Sequence, residues 1–311
     1  MEQMSSTRRI LATCAVLSLA SIPAAGQGPT RPPGARWAIH KITPASPEQI
    51  AAFRGQAMDW YHKAQKSFAP SLRLVETRNF LLVTTWPRKV DRRLRQVCET
   101  MYTHLRREFV LPRSQVVWAG KLPIFIFEKT DHFKRFSNEV DRRKSPNAGG
   151  YLAQRSDGFC YMVLNRVYSR THFYGLLVHE GTHAFLARYR TDAPIVTWVN
   201  EGLAETMAAQ LVPGCEAAER YVQATAEAVR RGKNVSGIFR DVRLKASDYG
   251  IAQSLVRFLI ARDRKRFVHF IKLMKVGASD AAALKYAYGL SREELLAKWL
   301  EASKKALRRR R

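Results

Sequence analysis

The chain has 311 residues, 46% hydrophobic and 25% charged, and its 53 lysines and arginines against 26 acidic residues give a formal net charge of +27. Past a short leader, a chain this long can bury a substantial core in one large domain or two lobes. Its cysteines show no C-x-x-C spacing, so no cysteine zinc site is suggested, and no nucleic-acid motif accompanies its scattered basic clusters.

Arg8-Arg9, the apolar run 10–22 and Pro23-Ala24-Ala25-Gly26 read as a cleaved export signal over 1–26, with cleavage before Gln27. The apolar run is too short for a comfortable membrane span. Thr7-Arg8-Arg9-Ile10-Leu11 resembles a twin-arginine signal, which implies a periplasmic or extracellular address. Cleavage leaves Cys98, Cys160 and Cys215, which allow one disulfide at most or three buried thiols.

A Gly/Pro-rich leader covers 27–45, and Ser46-Pro47-Glu48 starts a helix running to about Gln65. A strand at 80–85, a helix at 90–108 and strands near 116–118 and 122–127 follow. Asn147-Ala148-Gly149-Gly150-Tyr151 precedes a strand at 158–164, and its paired glycines also suit an ordinary turn. From residue 216 on, nearly everything reads as helix, including the capping box Ser291-x-x-Glu294. The expected fold is α+β, with a mixed lobe at 46–190 and a helical lobe at 191–311.

His179-Glu180-Gly181-Thr182-His183 is the most informative stretch, an H-E-x-x-H inside an apolar run of helical character. Two histidines four apart on a helix differ by roughly 40° and aim their imidazoles at one point. That arrangement suits two ligands of a tetrahedral zinc, with Glu180 placed to act on water at the metal. A bare match arises by chance in roughly one such chain in a hundred, so the surroundings matter. Thr191-Asp192-Ala193-Pro194 breaks the helix, and a second helix at 195–209 carries Glu201 and Glu205 on one face. If the two helices pack antiparallel, Glu201 can supply the third ligand that a catalytic zinc needs.

With Asn200-Glu201-Gly202-Leu203-Ala204-Glu205 placed 17 residues beyond His183, the motif resembles the gluzincin metallopeptidases, the superfamily of thermolysin and the M1-type aminopeptidases. The resemblance implies a two-lobe gluzincin-like fold and one zinc held by His179, His183 and Glu201. It further implies Glu180 as general base and Glu205 as the carboxylate that orients a ligand histidine. Ser247-Asp248-Tyr249 resembles the stretch where M1-type enzymes place an oxyanion-stabilising tyrosine, although the Gly and Lys that follow it there are missing; a core aromatic at a helix start is an equal reading of Tyr249. Gly149, Gly150 and Tyr151 fall where gluzincins bind substrate backbone along an edge strand. No Gly-x-Met-Glu-Asn segment precedes His179, which disfavours an aminopeptidase. With the stretches 79–85, 148–151, 179–183, 198–205 and 288–295, the chain is also similar over roughly residues 75 to 300 to bacterial peptidase-MA-like proteins of unknown function, which implies a gluzincin-like fold.

These residues lead to the expectation of an exported zinc metallopeptidase acting on a peptide or protein substrate. A non-catalytic zinc-containing protein that binds an anionic envelope polymer or nucleic acid is the alternative, and hydrolysis of a non-peptide amide is a third. The charge reads first as the solvated surface of a basic exported protein and second as attraction to an anionic partner.

Overall fold

Ser46 accepts a hydrogen bond from Gln49 N while Gln49 reaches back to the Ser46 amide, closing a capping box on α1 (Pro47–Ser67). The computed structural model describes residues 39–112, 115–144, 149–166, 169–240 and 243–309. The export signal, the leader up to residue 38, and Asn147 and Ala148 lie outside the described residues.

After α1 the chain forms β1 (Arg73–Glu76), β2 (Phe80–Thr84), α2 (Asp91–Glu108), β3 (Leu122–Phe127), α3 (Thr130–Arg135), β4 (Gly150–Gln154) and β5 (Cys160–Asn165). The five strands make one mixed sheet in the order β1-β2-β3-β5-β4. β2, β3 and β5 run parallel in the middle, with β1 and β4 antiparallel at the edges. Every residue of these three central strands is buried, as a sheet covered on both faces requires. Alternate side chains feed two cores: Leu82, Ile124 and Met162 belong to the larger, while Leu81, Phe125 and Val163 pack with α1.

Two expectations from the sequence need correction. Residues 116–118 are not a strand: Val117 donates its amide to the Tyr102 hydroxyl at 3.2 Å, and Trp118 Nε1 donates to Ala184 O at 3.3 Å. Val117 and Trp118 wedge into the core rather than pairing with a neighbour, while Val116 stays exposed. The strand expected at 158–164 starts at Cys160, because Gly158 takes a φ of 93° in the turn after β4. β1 is not anticipated from the sequence; β4 is expected only as an edge segment at Gly149, Gly150 and Tyr151, and it extends to Gln154.

The remainder is helical: α4 (Arg170–Arg188), α5 (Thr197–Leu211), α6 (Glu216–Arg230), α7 (Tyr249–Arg262), α8 (Arg264–Lys275), α9 (Asp280–Tyr288) and α10 (Arg292–Arg308). The capping box expected at Ser291 and Glu294 is present on α10. The fold is therefore mixed α+β, and its larger core runs from Val75 to Trp299, without a break at 190/191. Helix α7 sits tightly between α5 and α6. A Cβ on Gly202 of α5 would lie 2.4 Å from Ala252 O, and one on Gly250 would lie 2.7 Å from Tyr221 O of α6. Cys98, Cys160 and Cys215 are free and buried. No helix among the described residues is long and apolar enough to cross a membrane.

Candidate metal centre

Helix α4 starts at Ser169, whose side chain accepts from His172 N, and it is buried along nearly its whole length. An apolar helix buried all round carries histidine and glutamate only where they have partners. At its far end the buried Lys275 Nζ donates to Leu186 O at 3.0 Å and Ala193 O at 2.6 Å, holding the turn between α4 and α5. Thr191 Oγ1 returns a hydrogen bond to Lys275 O. Helix α5 is fixed near its start by Trp198 Nε1, which donates to the buried Asp280 at 2.9 Å.

This packing brings His179, His183 and Glu201 together, all three buried. The two Nε2 atoms are 3.0 Å apart, and each lies 3.4 Å from Glu201 Oε2. For a tetrahedral ion with bonds of about 2.1 Å, neighbouring donor atoms are about 3.4 Å apart. The triangle therefore has the size of one face of such a coordination shell. Two imidazole nitrogens at 3.0 Å repel unless a proton or a cation lies between them. Glu201 Oε1 is also buried without a hydrogen-bond partner, an uncommon condition for a carboxylate oxygen that a cation beside Oε2 offsets. The group fits a metal ion.

Glu205, one turn beyond Glu201, places Oε1 3.1 Å from His179 Nδ1. A proton on Nδ1 donated to this carboxylate leaves Nε2 with its lone pair turned to Glu201 and His183, the tautomer that a metal ligand needs. Burial by itself pushes the His179 pKa down, yet Glu205 and Glu201 outweigh it and hold the metal-free ring well above its ordinary range, so a metal ion bound there takes the place of a proton on Nε2. Burial likewise favours a neutral Glu201, but His183 and His179 overcome it and keep that carboxyl well below the usual range.

Glu180 is 1% exposed, and its Oε2 has no hydrogen-bond partner. Burial raises its pKa; the two histidines offset part of that rise. Tyr249 is the first residue of α7 and is 9% exposed. Burial raises its phenol, and the negative charges of Glu201, Glu205 and Glu180 add to the rise. The structure thus brings Tyr249 into the electrostatic field of all three carboxylates.

The glycine segment has a different outcome. Gly150 and Tyr151 open β4, an edge strand, so its backbone is placed at the border of the sheet. The Tyr151 side chain packs in the smaller core with α1, and its hydroxyl donates to Asp141 at 2.6 Å. Its neighbour Leu152 belongs to the larger core, which includes α4. Tyr151 therefore faces away from the metal group.

Two residues beside the site were not found from sequence. Tyr221 of α6 donates its hydroxyl to Glu205 Oε1 at 3.4 Å, and Gln253 of α7 donates Nε2 to Glu205 O at 3.0 Å. Neither belongs to a motif, and only the packing of α6 and α7 on α5 brings them there. No family model matches the chain, and no curated protein does either.

Proposed function

We propose that the protein is a zinc-dependent peptidase that hydrolyses peptide bonds. The observation that carries this reading is the buried triangle of His179 Nε2, His183 Nε2 and Glu201 Oε2, with the Glu180 carboxyl on the same helix beside it. Two imidazoles and one carboxylate are a donor set suited to catalytic zinc, which takes three protein ligands and one open position. Zinc held there lowers the pKa of a water toward about 7 and polarises a carbonyl.

The chain's own groups supply the rest. Glu180, its pKa raised by burial, takes the proton from the attacking water and returns it to the leaving amine. Tyr249, kept protonated by burial and by three carboxylates, donates a hydrogen bond to the developing oxyanion. Glu205 orients His179. β4 is the edge strand along which an extended substrate would pair, although Tyr151, Leu152 and Ala153 are buried in the free chain. On this reading the mixed part up to residue 190 and the helical part from 191 correspond to the two lobes of a gluzincin. The lack of an amine-anchoring segment favours an endopeptidase, and residues 1–26 direct export.

Metal analysis and cleavage profiling test the reading together. The wild type is expected to hold about one zinc per chain and to cut members of a diverse peptide mixture. Glu180→Gln is expected to keep the zinc and lose about 100- to 10,000-fold in rate. A wild type without stoichiometric zinc ends the proposal, and so does a Glu180→Gln variant that cuts at the wild-type rate. The net charge of +27 favours a second reading, a zinc-containing protein that binds an anionic polymer without cutting anything. Salt-sensitive polyanion binding, combined with no cleavage by the wild type, distinguishes it.

A further inference from the structure

Glu205 is held from two sides by helices that carry no metal ligand. Its Oε1 accepts from Tyr221 of α6 at 3.4 Å, and the same atom lies 3.1 Å from His179 Nδ1. Its backbone carbonyl accepts from the buried Gln253 of α7 at 3.0 Å. The Tyr221 ring stacks on Tyr249, with centroids 6.2 Å apart and planes 15° from parallel.

Tyr221 has little freedom to leave this position. The Gly250 Cα can sit against the α6 backbone only because it lacks a side chain: a Cβ there would lie 2.7 Å from Tyr221 O and 3.1 Å from Tyr221 Cα. The close contact pins the backbone of Tyr221, and the stacked Tyr249 limits its ring. The hydroxyl then has a fixed direction toward Glu205.

We infer that Tyr221 is a positioning residue for the metal group, acting through Glu205 on His179. The inference rests on the metal-binding reading above and adds α6 to the site. The Tyr221 hydroxyl, 3.4 Å from one oxygen of Glu205, restrains rotation of the carboxylate away from Nδ1. His179 then keeps both its tautomer and its ring angle. A simple packing role for Tyr221 needs only the ring, whereas a positioning role needs the hydroxyl. Burial, with the charge of Glu205, keeps that hydroxyl protonated and able to donate.

Tyr221→Phe separates the two roles, because it keeps the stacked ring and removes only the hydroxyl. Zinc affinity is measured by chelator competition, metal-free stability by thermal unfolding, and ligand geometry by the absorption spectrum of the cobalt-substituted protein. Removing a partner that orients a metal ligand costs about 10- to 100-fold in affinity. Tyr221 acts one step further out, so a loss of about 3- to 10-fold is expected, with a shifted cobalt spectrum and unchanged metal-free melting. In a Glu205→Ala background the same substitution is expected to change zinc affinity little, since the link is already cut.

Wild-type affinity and an unshifted spectrum in Tyr221→Phe overturn the inference while leaving the metal site standing. A zinc loss that merely follows lost metal-free stability, or that adds in full to that of Glu205→Ala, also overturns it. A wild type that binds no zinc overturns both the inference and the reading on which it rests.

Discussion

Glu205 Oε1 lies 3.1 Å from His179 Nδ1, so one carboxylate of α5 orients the ring that the other, Glu201, faces across 3.4 Å. Removing the orienting group leaves all three donor atoms in place. Glu205→Ala is therefore expected to keep the fold and weaken zinc binding by about 10- to 100-fold. Chelator competition reads this directly, and an unchanged dissociation constant contradicts the role given to Glu205.

Two glycines beside the site make opposite predictions. A Cβ on Gly202 would come within 2.4 Å of Ala252 O and 2.7 Å of Ala252 C, both backbone atoms that move only with α7. Gly202→Ala is expected to cost about 1–3 kcal/mol through overpacking and to lower the melting temperature by several degrees. A Cβ on Gly181, within the motif, would meet Met101 Sδ at 2.3 Å and Cε at 2.5 Å. That thioether is flexible, and alanine gains about 0.5–1 kcal/mol over glycine inside a helix. Gly181→Ala is thus expected to melt within a few degrees of the wild type. Thermal unfolding in which Gly181→Ala suffers more than Gly202→Ala would contradict this account of the packing.

Lys275 is 1% exposed and donates to two carbonyls, and burial lowers its pKa to about 7. Its ordinary value is 10.5, so between the two values the unfolded chain binds a proton that the folded chain lacks. Stability from this group therefore rises with pH, by at most about 1.4 kcal/mol per unit. Its cost is greatest below the folded value of about 7 and is relieved as pH climbs toward 10.5. Between pH 7 and 9 His179, held well above its ordinary range, pulls the other way, as do the buried thiols of Cys98 and Cys160 on approach to 9. The Lys275 contribution is therefore read as the difference in slope between wild type and a variant without it. Denaturant unfolding of wild type and Lys275→Met across that window is the measurement. A less positive slope is expected in the variant, and identical slopes would sink the assignment.

The elements that could be read in advance are those whose determinants are local. Ser46 with Gln49, and Ser291 with Glu294, cap their helices through residues three positions apart. The central strand Leu122–Phe127 announced itself as an apolar run bounded by polar residues. β1 did not, and β4 was suggested only by the family resemblance at Gly149, Gly150 and Tyr151, because short edge strands carry a weak pattern and acquire their identity from a neighbour. Residues 116–118 show the converse: three apolar residues are as ready to wedge into a core as to pair, and only the Tyr102 hydroxyl and Ala184 carbonyl decide between them.

By itself, the sequence determined the donors of the candidate metal centre. His179 and His183 share a helix face because four residues make about one turn, and Glu201 and Glu205 do so for the same reason. Helical periodicity is a local property, so composition and spacing suffice to read it. The tertiary structure alone decided that the two faces meet, that Nε2, Nε2 and Oε2 close to 3.0 and 3.4 Å, and that Tyr221 and Gln253 hold Glu205 from outside any motif. The triangle depends on how closely α4 and α5 approach, and the contacts to Glu205 on how closely α5, α6 and α7 do. Gly202 and Gly250 set that approach, and no spacing along the chain encodes the distance between two helices.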